Sequence, residues 1–195
     1  NLDGEGHGFN CVVFENAMKW PGWEQNWITT PAETVNAVQW LVDRDIKLRG
    51  HNLIWPGWSN LPPDLENNQN NLPYIRDRLN GHIEEILTYP GLAGNVPEWD
   101  VLNEITTNRD LEYAFQGQPG YPTGREIYVD IFNQLELFDP DTKTYINDYV
   151  TISQSNTGGG NYDLKKQFAQ ELIDAGVQLD GIGFQAHIGG FPTSI

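Results

Sequence analysis

Short apolar runs alternate along this chain with stretches in which apolar residues recur every three to four positions. Runs of four to eight apolar residues are typical of buried strands, whereas the three-to-four spacing is typical of amphipathic helices. The pattern predicts five strands, at 9–14, 46–55, 99–104, 144–146 and 179–184. It predicts a helix in each interval between them.

The first predicted helix has the clearest starting signal. The run Thr30-Pro31-Ala32-Glu33 is a capping box with proline at the first helical position. The other three helices are marked by periodic apolar residues within 75–87, 127–135 and 164–172, the last with Gly176 as its C-cap. Strict alternation of strands and helices indicates a parallel sheet with right-handed crossovers.

Polar side chains follow every predicted strand. An open doubly wound sheet gathers its ligand groups near one switch point, whereas a barrel collects them from all of its strands. The regular contributions therefore favour an α/β fold of the TIM (β/α)8 barrel type. Such a barrel needs eight strands and about 250 residues, so this 195-residue chain is predicted to be an incomplete fragment of one. The strand-end residues are Glu15, Asn16 and Lys19; His51 and Trp55; Asn103 and Glu104; Asn147, Asp148 and Tyr149; Gln185 and His187.

The charge of the chain narrows the choice of partners. With 11 Lys and Arg against 27 Asp and Glu, the formal net charge is -16. Nucleic acids and anionic membranes need basic patches, so neither is an expected partner. A neutral sugar polymer is compatible, and the seven Trp and eight Tyr suit stacking on sugar rings, although such residues are also ordinary core material. Cys11 lies in an apolar run and is predicted to be a buried thiol.

The strand-end residues combine carboxylates, amides and imidazoles. Acid/base work at a glycosidic bond needs a carboxyl group that holds a proton near neutral pH and a second carboxylate across the sugar. Serine-hydrolase chemistry is disfavoured because no serine lies in a nucleophile elbow. The four histidines lack the spacing of zinc ligands; His7 and His82 are expected to be structural or solvated. We therefore expect neither a metal nor a cofactor.

Five motifs give these residues a family resemblance. They are FENAMKW at 14–20, RGHNLIW at 49–55, WDVLNE at 99–104, YINDY at 145–149 and GIGFQAH at 181–187. In this order, over nearly the whole chain, they resemble glycoside hydrolase family 10, the endo-1,4-β-xylanases built on a TIM barrel. The resemblance implies that residues 1–195 are a partial catalytic domain covering roughly barrel strands two to six. The first strand and the last two strands of the family barrel are expected to be missing.

The resemblance also implies roles for single residues. Glu104 matches the general acid/base of a retaining double displacement, and Asn103 matches the neighbour that binds the sugar 2-hydroxyl. The family nucleophile is a Glu on the strand after His187, outside this chain, so the chain alone is expected to be inactive. Residues matching the family's substrate contacts are Glu15, Asn16, Lys19, His51, Trp55, Tyr149, Gln185 and His187.

The implied substrate is a polysaccharide, namely xylan or its oligosaccharides. A monomer without nucleic-acid or membrane partners is expected. Secretion is implied by the resemblance alone, since no signal peptide is visible in this chain. Two alternatives stay open. Pro56, where the family usually has His, and the additional Trp58 are compatible with a related β-glycanase of altered preference, and a catalytically inactive sugar-binding barrel has the same strand-end residues.

Overall fold

The computed structural model describes residues 9–149 and 160–185. Its strands are β1 (Cys11–Val13), β2 (Lys47–Ile54), β3 (Glu98–Asn103), β4 (Lys143–Asp148) and β5 (Gly181–Phe184). Its helices are α1 (Trp20–Gln25), α2 (Pro31–Val42), α3 (Pro63–Asn67), α4 (Leu72–Thr88), α5 (Asp110–Phe115), α6 (Glu126–Phe138) and α7 (Gly160–Asp174), with a 3-10 helix at Trp58–Asn60.

The five strands form one sheet in the order β1-β2-β3-β4-β5. Every neighbouring pair is parallel. A doubly wound sheet reverses its strand order at a switch point, and no reversal occurs among these strands. The predicted parallel α/β fold, with strands following one another as in a barrel, is therefore confirmed, and the carboxyl ends of all five strands lie along one edge.

The four predicted helices correspond to α2, α4, α6 and α7. The capping box of α2 is formed as predicted: the Glu33 backbone amide donates to Thr30 Oγ1 at 3.3 Å, and the Thr30 amide donates to Glu33 Oε2 at 2.8 Å. The short helices α1, α3 and α5 and the 3-10 helix were not predicted, because segments this short carry too few residues to show a period. Within 9–149 and 160–185, no helix is both long and apolar enough to cross a membrane.

One buried apolar cluster joins the sheet to the helices and includes Leu53, Val101, Ile146, Ile83 and Ile131. A close-packed layer of this kind fixes the strand ends because small displacements lose many contacts. The site at the carboxyl edge therefore rests on a rigid base.

His82 of α4 is a buried structural residue. Its ring stacks on Trp20 of α1, with the ring centroids 4.3 Å apart and the planes 6° from parallel. Burial lowers the pKa of His82 to about 3, so the imidazole is neutral at physiological pH. The stack ties the short helix that follows β1 to the helix between β2 and β3.

The prediction of a buried thiol at Cys11 is wrong, because Cys11 is exposed. Strand β1 lies at the edge of the sheet and pairs with β2 alone among the described strands. Its three residues alternate between exposed and half-buried positions, and Val13 is 49% exposed. An apolar run indicates burial only where other elements of the fold cover the strand. The sequence pattern of the run itself does not reveal whether they do.

Candidate active site

A cleft of about 690 Å³ opens at the carboxyl edge of the sheet. Polar ends of parallel strands are where α/β folds place ligand sites. Residues from all five strands or the segments that follow them contribute, as predicted from the sequence. The lining consists of Val13, Glu15, Lys19, Arg49, His51, Trp55, Asp100, Asn103, Glu104, Asn147, Gly183, Phe184 and Gln185.

Glu104 follows β3 directly and has a left-handed backbone with φ +55°. This conformation is uncommon for a residue with a side chain and costs about 1–3 kcal/mol, so it persists only where neighbours enforce it. The backbone amide of Glu104 donates to the Asn147 carbonyl at 2.7 Å. Its own carbonyl accepts from the amide of Asn108 at 2.9 Å. These bonds turn the chain sharply at the point where the carboxylate enters the cleft.

Two amide side chains hold the Glu104 carboxylate. Gln185 Nε2 donates to Oε1 at 2.9 Å, and Asn108 Nδ2 donates to Oε2 at 3.3 Å. Asn108 is in turn anchored by Asn60, whose Nδ2 donates to Asn108 Oδ1 at 3.0 Å. Each carboxylate oxygen thus has a neutral donor. Both donors are neutral side chains, and together they fix the orientation of the carboxylate in the cleft.

The loop after Glu104 is tied to β4. The Asp148 carboxylate accepts from the Thr106 hydroxyl at 2.8 Å and from the Thr106 amide at 3.3 Å. The Asp148 carbonyl accepts from the Gln185 amide at 3.0 Å. Asp148, at the end of β4, therefore positions both the loop that follows Glu104 and the glutamine that contacts Glu104.

Asn103 is buried beside Glu104, and its side chain has a defined orientation. Asn103 Oδ1 accepts from Asn147 Nδ2 at 3.1 Å and from Gln185 Nε2 at 3.3 Å. With both acceptor positions used, the amide group of Asn103 is left as the donor that faces the cleft. A donor here suits a hydroxyl oxygen of a ligand bound next to Glu104.

Hydrogen bonds between charged and polar side chains connect β2 to β3. Asp100 is only 3% exposed and accepts from Arg49 Nε at 2.9 Å, with a second contact from Arg49 Nη2. Its other oxygen bonds His51 Nδ1 at 2.9 Å. An ionised carboxylate only accepts hydrogen bonds, so His51 Nδ1 carries a proton, and in a neutral imidazole Nε2 would be the acceptor. Asp100 thereby fixes the tautomer of His51, and the arginine balances the buried charge.

The β1 side of the cleft carries Glu15, Asn16 and Lys19. Lys19 Nζ donates to Asn16 Oδ1 at 2.9 Å and lies 5.1 Å from the centroid of the Trp55 ring. Partial burial lowers the pKa of Lys19, and the charges of Glu15 and Glu104 oppose that lowering. The lysine therefore lies in the electrostatic field of both carboxylates, at the opposite wall from Gln185.

Most of the predicted site residues meet in this cleft. Glu15, Lys19, His51, Trp55, Asn103, Glu104 and Gln185 line it, and Asn16 contacts Lys19 from behind. Tyr149 follows β4 but is not among the lining residues, and its side chain is 37% exposed. His187 lies outside the described residues. In the described part of the chain, no three His, Cys, Asp or Glu side chains converge for a metal ion.

Sequence reasoning missed the residues that support this site, namely Arg49, Asp100 and Asn108, and gave Asn147 no role. One signal was present: Arg49 and His51 lie two apart on a strand and so share a face, and Asp100 is the register partner of His51. The contact of Asn108 with Glu104 had no such signal, because it depends on the left-handed turn.

Lys165 was also missed; it is 2% exposed and its Nζ donates to the Gly183 carbonyl at 2.5 Å.

Comparison with known proteins identifies the family of this cleft. The model of glycosyl hydrolase family 10 matches residues 5–193. The chain is 32% identical over 186 residues to endo-1,4-beta-xylanase 3 of Hypocrea jecorina, covering 92% of this chain and 49% of that protein. It is 31% identical over 191 residues to a beta-1,4-xylanase of Dictyoglomus thermophilum, covering 92% of this chain and 48% of that one. The chain thus spans about half the length of these relatives.

The solved structures agree with the barrel fold. A thermostable mutant of a xylanase from Cellvibrio japonicus superposes with a TM-score of 0.73 at 25% identity, covering 93% of this chain and 52% of that one. The family match covers nearly the whole chain. The chain belongs to glycosyl hydrolase family 10, and its fold is part of the TIM barrel of that family.

Proposed function

We propose that the complete protein carrying this chain is an endo-1,4-β-xylanase that cleaves internal β-1,4 bonds of xylan with retention of configuration. The observation that carries the proposal is the Glu104 carboxylate, which enters the cleft between Gln185 and Asn108 and beside the free donor of Asn103. That arrangement supports a proton donor next to a sugar-hydroxyl contact, as the glycosidase mechanism requires.

In the first step, a nucleophilic carboxylate attacks the anomeric carbon while the glycosidic C–O bond breaks. Protonated Glu104 gives its proton to the leaving oxygen, and a glycosyl ester forms on the enzyme. In the second step, the Glu104 carboxylate takes a proton from water, whose oxygen attacks the anomeric carbon and releases the ester. Gln185 and Asn108 stabilise the Glu104 carboxylate between these two steps.

The nucleophile must lie about 5–5.5 Å from the acid/base. Among the lining carboxylates, Asp100 is engaged by Arg49 and His51, and Glu15 stands near Lys19 on the first strand. We assign the nucleophile to a Glu on a strand that follows β5 in the complete protein. Residues 1–195 then form a partial catalytic domain, and this chain alone is expected to be inactive.

The binding roles follow the walls of the cleft. Glu15, Asn16 and Lys19 form one wall for a sugar unit, His51 and Trp55 lie between that wall and the acid/base, and Gln185 lies at the opposite side. Tyr149 is assigned to the leaving-group side, and His187 is assigned to the central subsites close to the nucleophile. The proposed substrate is a polysaccharide too large to enter a cell, and we therefore propose that the protein is secreted. We also propose that it acts as a monomer and needs no cofactor.

The proposal is tested by incubating the complete protein with xylan and, separately, with carboxymethyl-cellulose. Release of xylo-oligosaccharides, with the newly formed end first appearing in the β configuration by NMR, is the expected result. Preferential cleavage of carboxymethyl-cellulose would favour a related β-glycanase, the alternative hypothesis that Pro56 and Trp58 motivate. Binding of xylo-oligosaccharides with no hydrolysis of either polymer would instead identify a sugar-binding barrel.

A further inference from the structure

A second cavity, of about 410 Å³, lies on the same side of the sheet as the cleft. It is lined by Trp58, Gln69, Asn70, Leu72, Asp110, Tyr113, Ala114 and Gln118. Trp58 belongs to the segment after β2, Asp110 begins the helix after β3, and Leu72 begins α4. Because helices between parallel strands run antiparallel to them, these positions all lie near the carboxyl edge.

The lining has the chemistry of a carbohydrate site. Trp58 and Tyr113 offer aromatic faces, and Gln69, Asn70 and Gln118 offer amide donors and acceptors. Flat rings pack on the C–H faces of sugars, while amides match hydroxyl groups that both donate and accept. The volume lies within the usual range of small-ligand pockets.

The charge of the cavity lining favours neutral sugars over acidic ones. Asp110 is the one ionisable acid of the lining, and no Lys or Arg side chain lines the described cavity. The chain as a whole has a formal net charge of -16. The nearby Arg109 guanidinium, beside the Tyr113 ring, is already paired with the Glu112 carboxylate. A carboxylate on the ligand would meet Asp110 without an unpaired cation in the lining, so a neutral sugar fits and a uronic acid does not.

Hydrogen bonds connect the segments that line this cavity to the acid/base of the active cleft. Asn108 donates to Glu104 Oε2 and accepts from Asn60, which lies in the same 3-10 turn as Trp58. The Trp58 amide donates to Asp110 Oδ2 at 2.8 Å, which fixes the 3-10 turn to the start of α5. The 3-10 turn that carries Trp58 is therefore connected to the acid/base through Asn60 and Asn108.

Tyr113 does not belong to the buried apolar cluster. Its side chain is 56% exposed, and the Arg109 guanidinium lies 5.0 Å from the ring centroid. A close counterpart occurs at Trp40 on α2, which is 40% exposed and has the Arg44 guanidinium 4.0 Å from its ring. Trp40 does not line this cavity, so it provides a matched control for an exposed aromatic under an arginine.

We propose that this second cavity binds a neutral sugar unit of the polysaccharide and so makes the enzyme selective for the decoration of its substrate. The inference rests on the proposed function, because it takes the glycan in the cleft as given. The sugar has two sources: a neutral branch, such as arabinose, on the chain in the cleft, or a unit of a second glycan chain. Both present the same chemistry to Trp58 and Tyr113.

The experiment uses the complete protein and its variants Tyr113→Ala, Trp58→Ala and, as control, Trp40→Ala. For each, kcat/KM is measured on linear xylo-oligosaccharides, on the same oligosaccharides with arabinosyl branches and on those with glucuronosyl branches. Binding to insoluble linear xylan is measured in parallel. For a branch site, Tyr113→Ala and Trp58→Ala lower kcat/KM on the arabinosyl substrate by about 3- to 10-fold and leave the linear substrate unchanged. Trp40→Ala changes neither.

The remaining outcomes decide between the sources and test the inference itself. If the variants lose only binding to insoluble xylan, the sugar belongs to a second chain. Tyr113→Ala changes a side chain that is 56% exposed, so this variant is expected to fold. If it leaves both readouts unchanged, or if the glucuronosyl substrate responds instead, the inference is overturned. A wild-type protein that hydrolyses no oligosaccharide contradicts the proposed function, and the binding arm then still reports whether the cavity holds a sugar.

Discussion

The central strands and the first strand of this sheet hold their site residues in different ways. On the central strands, the Asp100 carboxylate accepts hydrogen bonds from Arg49 and His51. The Asn103 side-chain oxygen accepts hydrogen bonds from Asn147 and Gln185. At the end of β1, Glu15 is exposed, and Lys19 is held by Asn16 three residues away. The hydrogen bonds at the centre thus join distant parts of the chain, whereas the hydrogen bond of Lys19 is local.

The difference concerns preorganisation. A side chain held by two or more fixed partners needs no ordering when the substrate binds, so its interactions act at full strength in the transition state. A side chain held only locally loses rotamer freedom on binding, which reduces the net gain. We therefore expect central residues to govern catalysis and stability together, and residues after β1 to govern substrate affinity alone.

The largest expected effect is on stability at the centre. Asp100→Ala leaves Arg49 and His51 without their buried carboxylate. Removing one partner of a buried pair costs about 3–5 kcal/mol; because Arg49 and His51 keep 20% and 15% of their side chains exposed, we expect about 3 kcal/mol. Urea unfolding of the complete protein measures the loss. A loss below about 1 kcal/mol would show that the network is not what fixes the centre.

A smaller effect is expected at Asn108, which tests whether support of Glu104 matters for catalysis. Asn108→Ala removes the donor to Glu104 Oε2, a charge-assisted bond at 3.3 Å. Such bonds contribute about 1.5–3 kcal/mol, and the long distance favours the low end, so kcat should fall about 10-fold with KM little changed. Asn95→Ala, at an asparagine bonded to the Gly91 carbonyl, is the control. A change in KM alone would assign Asn108 to substrate binding.

The stack of His82 on Trp20 connects the two regions and gives a pH-dependent prediction. The folded pKa of His82, lowered by burial to about 3, lies below the unfolded value of about 6.5. Between these values the unfolded chain binds a proton that the native protein does not, so stability falls as pH falls, by up to about 1.4 kcal/mol per pH unit. His82→Phe keeps the aromatic stack and cannot titrate. The wild type should therefore lose more stability than this variant from pH 6.5 to 4.5, and parallel curves would contradict a buried neutral imidazole.

The smallest expected effect is on stability at the first strand. Glu15→Ala removes an exposed carboxylate, and substitutions of this kind change stability by less than about 0.5 kcal/mol. Affinity for xylo-oligosaccharides should nevertheless fall, because a carboxylate matched to sugar hydroxyls is lost. Calorimetric titration beside urea unfolding checks both. A large loss of stability would erase the distinction between the two regions.

The sequence predicts most of this fold because its signals are local. Periodic apolar residues mark the four long helices and the five strands, and Thr30 with Glu33 marks one helix start. The cleft residues were also predictable, since parallel strands deliver their carboxyl ends to one edge. The exposure of Cys11 was not predictable, because burial of a strand depends on its neighbours rather than on its own residues.

The long-range contacts that position the site residues could not be predicted from local sequence patterns. The contact between Arg49 and Asp100 joins residues 51 positions apart, and that between Glu104 and Gln185 spans 81. The left-handed backbone of Glu104, which turns the chain so that Asn108 faces the carboxylate, is imposed by β4 rather than encoded by a glycine. Such contacts follow from the assembled sheet.

The most direct test of the account is Glu104→Gln in the complete protein. Glutamine preserves the shape of the side chain and can accept from one of the two neighbouring amides through its single carbonyl oxygen, but it cannot deliver a proton. We predict that kcat on xylan falls by about 10²–10⁴-fold, that xylo-oligosaccharide affinity is retained, and that an aryl xyloside whose leaving group needs no protonation is affected much less in glycosyl-enzyme formation. Unchanged hydrolysis of xylan by this variant would contradict the account, because the acid would then lie elsewhere.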